Sequence, residues 1–183
     1  MGAAVTAAVS EEWHRGDWLE WRRAGIGASD VAGILGISPF ASPYSVWASK
    51  VHSVDAEETE PMRWGHLLED AIADEFAVRT GLHVSHAQEW AQHPDRSWAR
   101  CTLDRKVFDD VGGTDPLGEL EIKTTSARAW ETFGDELPEY YLAQVMWQLF
   151  VTGLERAWVA TLVGGQRLHI GDPIERDDRV IAD

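Results

Sequence analysis

At 183 residues, with 44% hydrophobic content and ten tryptophans, the chain is long enough to bury a sizeable core and too apolar for disorder, so one domain over residues 1–183 is expected. Cys101 is the single cysteine, which excludes intramolecular disulfides and cysteine-rich metal sites and fits a reducing cytoplasm; no apolar run reaches membrane-span length, and the N-terminus lacks a signal-peptide pattern. The net charge of -15, from 16 basic and 31 acidic residues, argues against broad contact with a polyanion; any such contact must rest on bound metal or on Arg15, Arg22, Arg23, Arg100, Arg105 and Lys106.

Residues 1–10 are Ala-rich without an apolar period, and residues 1–12 are expected to be disordered. Residues 17–23 then read as a short amphipathic helix. A glycine-bracketed turn, Ala24-Gly-Ile-Gly-Ala-Ser-Asp30, follows, with Ser29 placed to cap a helix over 30–35. With Arg22 opposite, that cap suits a phosphate; a plain helix-to-helix connection fits the same residues. Trp13, Trp18 and Trp21 stand at helical spacing, a pattern more common in cores than in base-stacking surfaces. Pro43 opens a helix over 43–51, an acidic loop covers 54–60, and a long helix over 61–80 stops at Gly81. Gly65, Leu68, Ile72 and Phe76 share one face of it with Glu69, and a carboxylate on an apolar stripe needs a partner. His66, His83, His86 and His93 match no zinc-binding spacing.

Residues 82–90 read as a strand, as do 98–108 and 118–124, and Asp109-Asp-Val-Gly-Gly113 closes the last two into an antiparallel hairpin. Beyond an acidic loop at 135–138, the helix over 139–152 carries a core stripe of Leu142, Met146, Leu149, Phe150 and Gly153. Tyr141, Gln144 and Gln148 form its polar stripe. A buried strand at 156–163, a last strand at 166–170 and a charged tail over 172–183 complete the chain.

The hairpin carries the chemistry. Strand side chains alternate with period two, so Glu121 and Lys123 project from one face, while Ile122 packs the other way and leaves its carbonyl at the rim. With Asp104, two carboxylates and an ammonium converge. Phosphodiester hydrolysis needs a divalent cation held by a few hard oxygens, with a further positive charge nearby, and this set supplies both. A lone Glu-x-Lys tripeptide is common on strand surfaces; the surrounding blocks give this one its meaning.

The order of helix, strand, two-stranded hairpin, helix and strand, after a helical N-terminal section, is that of the PD-(D/E)XK nuclease core. The fold class expected is therefore α/β (α+β), restriction-endonuclease-like, with a mixed sheet flanked by helices. Five blocks, Arg22-Arg-Ala-Gly-Ile-Gly-Ala-Ser-Asp30, Arg63-Trp-Gly-His-Leu-Leu-Glu69, Leu103-Asp104, Glu121-Ile-Lys123 and Tyr141-Leu-Ala-Gln-Val145, resemble the YqaJ-type phage recombinases related to lambda exonuclease, over about residues 18–162. The resemblance implies a magnesium-dependent deoxyribonuclease, with manganese as a substitute. It further implies 5′-to-3′ digestion of double-stranded DNA ends in phage-type recombination, in the cytoplasm of a bacterial host. A single-strand annealing protein would be the partner, and a homo-oligomer is expected because the lambda relatives form a trimeric ring.

Residue by residue, the resemblance places magnesium on Asp104, Glu121 and the Ile122 carbonyl. Glu69 would orient a water on the metal or join a second ion, and Lys123 would position or activate the attacking water. Gln144 and Tyr141 would support the site from the last helix, and Arg22 and Ser29 would grip a terminal 5′-phosphate. Leu103 and Arg105 depart from the Pro and Gly that flank the acid in the family pattern, and Gln148 follows Gln144 by four residues where related nucleases often have Tyr. Two other readings remain: an endonuclease of the same fold acting on branched or nicked DNA, and a non-catalytic DNA- or protein-binding module, which the intact acid-acid-lysine set disfavours.

Overall fold

The computed structural model describes residues 5–8, 15–52, 57–86, 88–134 and 136–182. In chain order the elements are β1 (Val5–Ala8), α1 (Arg15–Arg23), α2 (Ala28–Ile34), α3 (Pro43–Val51), α4 (Glu60–Thr80), β2 (His83–Val84), β3 (Glu89–His93), β4 (Arg96–Leu103), β5 (Arg105–Phe108), β6 (Gly118–Thr125), α5 (Ala127–Phe133), α6 (Glu139–Thr152), β7 (Arg156–Val163), β8 (Arg167–Ile170), β9 (Ile174–Glu175) and α7 (Asp178–Ala182). The helix ends follow local chemistry. The Thr59 hydroxyl accepts the Met62 N–H at the start of α4, Pro61 sits in the first turn, and Gly81 stops the helix at φ 74°, a left-handed conformation that glycine adopts without penalty.

The larger sheet has the order β2-β5-β6-β7-β8, with β9 on the end of β7. Only β6 and β7 run parallel, and α5 and α6 make the crossover between them that parallel pairing requires. Period-two alternation on these central strands divides the molecule into layers. Leu120, Ile122, Trp158 and Ala160 pack against Ile72, Ala73 and Phe76 of α4. The opposite face places Ala157 and Val159 against Val145, Met146 and Leu149 of α6, and the acid-lysine row of β6 lies on this side. A second, antiparallel sheet, β1-β3-β4, joins α2 and α6 in burying Ala28, Ala91, Ala99, Cys101, Leu103 and Val151. The architecture is the expected mixed α/β one, a sheet flanked by helices.

The structure corrects several boundaries. The strand expected over 98–108 is two strands, β4 in the small sheet and β5 in the large one, divided at Asp104. Arg105 pairs with Leu120, but one step on, the Asp104 carboxylate takes the Ile122 N–H at 2.8 Å, so a side chain replaces the next ladder bond and the chain leaves the sheet. The strand expected over 82–90 divides likewise into β2 and β3, which belong to different sheets. The charged tail contains β9, paired with the start of β7, and α7, whose Ile181 packs beside the α6 cluster. Of the residues expected to be disordered at the start, 5–8 pair with β3; the rest, like Trp13, lie outside the described residues.

Candidate functional site

The division at Asp104 builds the site. Its carboxylate sits where the two sheets meet, one oxygen tied to the Ile122 N–H. N–H and C=O of one strand residue point to the same edge, so the Ile122 carbonyl lies on the side facing Asp104. On the α6 face of β6, Glu121 is buried, at 3% exposure, and three donors reach it. Lys123 Nζ and Gln144 Nε2 share Oε1, the latter at 2.6 Å, and Gln148 Nε2 donates to Oε2 at 2.6 Å. Gln144 also accepts from Lys123 at 3.2 Å, which closes a ring of three side chains. The polar stripe of the last helix is thus aimed at the hairpin acids.

Charge explains the arrangement. Burial, and then the neighbouring Glu121 carboxylate, push Asp104 well above the ordinary carboxylate range; Lys123 and the Ile122 N–H offset this only in part. Burial works against the Lys123 ammonium, but Glu121 and Asp104 outweigh it and hold the lysine above its usual value. Two acids, Glu121 buried and Asp104 half-buried, served by one ammonium, remain electron-rich. Among the described residues no three His, Cys, Asp or Glu side chains cluster as ligands, so the donor set offered to a cation is the two carboxylates and the backbone edge at Ile122. Those are hard oxygens, which suit magnesium or manganese better than soft metals.

A cleft of about 430 Å³ opens over this set, lined also by Glu69, Arg22, Ser29 and Thr124. Glu69 comes from α4 on its wall, with Gln88 Nε2 donating to Oε2 at 3.0 Å and His66 Nδ1 3.0 Å from Oε1. Its expected partner at the metal is thus accompanied by two protein partners, and Gln88 gave no signal in the sequence. Gly65 lines the cleft, and a Cβ there would meet the Thr124 hydroxyl at 3.6 Å, an ordinary van der Waals distance, so the position does not require glycine. Tyr141 reaches the site through Lys123, whose Nζ lies 5.0 Å from its ring centroid.

At the far end of the cleft, Arg22 Nη2 donates to the Ser29 hydroxyl at 3.1 Å. Ser29 is not the cap of α2. The helix begins at Ala28, and Asp30 reaches back to accept the Gly27 N–H at 2.7 Å. Asp30 is buried and paired with Lys50 at 2.6 Å, with Arg22 at 3.6 Å; Lys50 also donates to the Arg22 carbonyl at 2.9 Å. Neither the Asp30 nor the Lys50 role stood out in the sequence, because their pairing depends on α3 folding back against α2. Among the basic residues singled out for DNA contact, Arg105 is paired with Asp70 and Lys106 with Glu89, whereas Arg22 and Arg100 line the cleft. Trp18 lines it too and donates to Thr102 at 3.4 Å, while Trp21 stacks on Trp90 at 5.4 Å.

The YqaJ-like viral recombinase domain matches residues 17–155. The uncharacterized protein YqaJ of Bacillus subtilis (strain 168) is 37% identical over 185 residues, covering 97% of this chain and 55% of that protein; the chain spans about half of its relative. The fold is similar to that of an alkaline exonuclease (LHK-Exo) from Laribacter hongkongensis, with TM-score 0.73 at 20% identity over 91% of this chain and 85% of that one. The same enzyme in complex with dAMP matches at TM-score 0.70, with the same identity and coverage. A phage related exonuclease from Haemophilus somnus 129PT matches at 0.55 and 13% identity, over 86% and 87% of the two chains.

Proposed function

The chain belongs to the YqaJ-like viral recombinase domain family, and on that premise we propose that it is a metal-dependent deoxyribonuclease, a 5′-to-3′ exonuclease acting on double-stranded DNA ends. The observation that carries this is the convergence of Asp104, Glu121 and Lys123 in one cleft, with the Ile122 backbone edge beside them. Magnesium, or manganese in its place, would be held by Asp104, Glu121 and the Ile122 carbonyl, where it would offset phosphate charge and acidify the attacking water. The dAMP complex of the similarly folded alkaline exonuclease supports a deoxynucleotide product.

The chain's own residues supply the rest. Glu121 and Asp104 hold the Lys123 ammonium above its usual value, and that side chain would position or activate the attacking water beside the phosphate. Gln144 sets the Lys123–Glu121 pair by donating to one and accepting from the other. Glu69 on the facing wall orients water. Arg22 and Ser29 form a corner suited to a terminal 5′-phosphate. The proposal extends to the cytoplasm of a bacterial host, to phage or prophage recombination beside a single-strand annealing protein, and to a homo-oligomer.

The test is an end-labelled linear duplex and its circular counterpart, each incubated with magnesium. Loss of the linear form alone is expected. Loss of both identifies an endonuclease of the same fold, and no reaction with either identifies a binding module.

A further inference from the structure

We infer that Gln148 is a positioning residue of this site, a clamp that fixes the Glu121 carboxylate relative to the strand end bearing Asp104. Gln148 is 1% exposed on α6. Its Nε2 donates to Glu121 Oε2 at 2.6 Å and to the Thr102 carbonyl at 3.2 Å. Both partners are acceptors, so the amide has one workable orientation; turned over, its oxygen would face two others.

The two bonds join different sheets. Thr102 lies on β4, two residues before Asp104, and Glu121 lies on β6 of the larger sheet. At this seam the sheets are also tied by Asp104 accepting the Ile122 N–H. One side-chain amide therefore spans the same gap that the two acids must span. Gln144 takes the other Glu121 oxygen, so an amide holds each oxygen and the carboxylate cannot rotate freely.

Packing does not account for the residue. Gln148 Oε1 is buried without a hydrogen-bond partner among the described residues, a penalty that an apolar side chain of the same length would not carry. The donor half of the amide explains its presence. The inference rests on the nuclease reading, since the orientation of Glu121 has consequences where Glu121 holds a cation. Removing a hydrogen-bond partner from a metal-ligating group typically weakens metal affinity by roughly 10- to 100-fold.

The experiment is calorimetric titration of the full chain with manganese alone, without DNA, beside thermal unfolding in chelator and duplex-cleavage kinetics. Gln148→Met keeps the length and removes the donor. It is expected to weaken manganese binding by roughly tenfold or more and to lower kcat, with the melting temperature in chelator little changed. Wild-type affinity in the folded variant, with or without a lowered melting temperature, overturns the inference by marking a purely structural bridge. Should Gln148→Met fail to fold, Gln148→Asn decides, because it keeps a buried amide but withdraws it from Glu121 by one methylene: weaker binding supports the clamp and unchanged binding overturns it. A wild-type chain that binds no manganese overturns the nuclease reading together with the inference. Wild-type binding that the decisive variant leaves unaltered overturns the inference alone.

Discussion

Lys123 and Glu121 stand two residues apart on one strand face, yet their losses should read differently. Lys123→Ala removes a preorganised charge and is expected to slow cleavage by at least ~100-fold while leaving manganese affinity near wild type, because the lost bond to Glu121 is offset by removing a cation from beside the metal. Glu121→Gln and Asp104→Asn should be as inactive but bind manganese more weakly; calorimetry separates the two causes, and normal turnover in Lys123→Ala would remove that residue from the mechanism. Glu119 precedes Glu121 on the same face of β6. It is 1% exposed, and neither carboxylate oxygen has a hydrogen-bond partner among the described residues; burial, then Glu121 and Asp104, push it well above the ordinary range. The folded state then keeps a proton that the unfolded chain releases at lower pH, so stability is lost as pH rises above the unfolded value of about 4.3 and until the raised folded value is passed. In metal-free buffer at pH 8, Glu119→Gln should therefore melt at a higher temperature than the wild type. The gain should vanish near pH 4, and a gain independent of pH would show that Glu119 is charged in the folded state.

At the scale of elements, the turn between α1 and α2 is docked rather than loose. Ile26 bridges to β4, donating to the Trp98 carbonyl at 2.7 Å and accepting the Arg100 N–H at 3.0 Å. A Cβ on Gly25 would meet that Trp98 carbonyl at 2.4 Å, so glycine is required for the approach. Lys50 of α3 braces the other side through Asp30. Arg22 and Ser29 are thereby held at one end of the cleft, where the proposed exonuclease would receive a strand end. A charge-assisted contact of this kind contributes about 1.5–3 kcal/mol, so a 5′-phosphorylated duplex should be digested roughly ten- to hundredfold faster than a 5′-hydroxyl one. Arg22→Ala should slow only the phosphorylated substrate. Equal initial rates on both ends in the wild type would dispose of the phosphate corner and favour the endonuclease.

For the whole molecule the question is how a chain of net charge -15 would engage the DNA that the proposed function requires. Arg105 and Lys106 are neutralised by Asp70 and Glu89, and the acids at the cleft floor repel phosphate until a cation offsets them. DNA binding is therefore expected to require a divalent ion. Calcium, with its looser and larger coordination, should restore binding without cleavage, manganese should restore both, and chelator should abolish both. Gel-shift and cleavage assays in parallel decide this: full activity in calcium would contradict a site selective for magnesium-like geometry, and undiminished binding in chelator would show that the surface itself attracts DNA.

The sequence alone determined the long helices, the hairpin and the pairing of Glu121 with Lys123, because these follow from local periodicity and caps: Thr59, Pro61 and Gly81 mark the ends of α4, and a period of two puts the acid and the lysine on one face. Helical periodicity likewise grouped Gln144 with Gln148. What the tertiary structure decided lies where segments distant in sequence meet. The strand through Asp104 divides because that side chain competes for the Ile122 N–H, a contest that needs β6 in place. Gln88 finds Glu69 and Lys50 finds Asp30 only after α3, α4 and the sheets have packed. Burial of Glu119 depends on layers closing over both ends of β6, and no local pattern encodes that, since an acid on an alternating strand reads as solvent-facing until the partner layer is known.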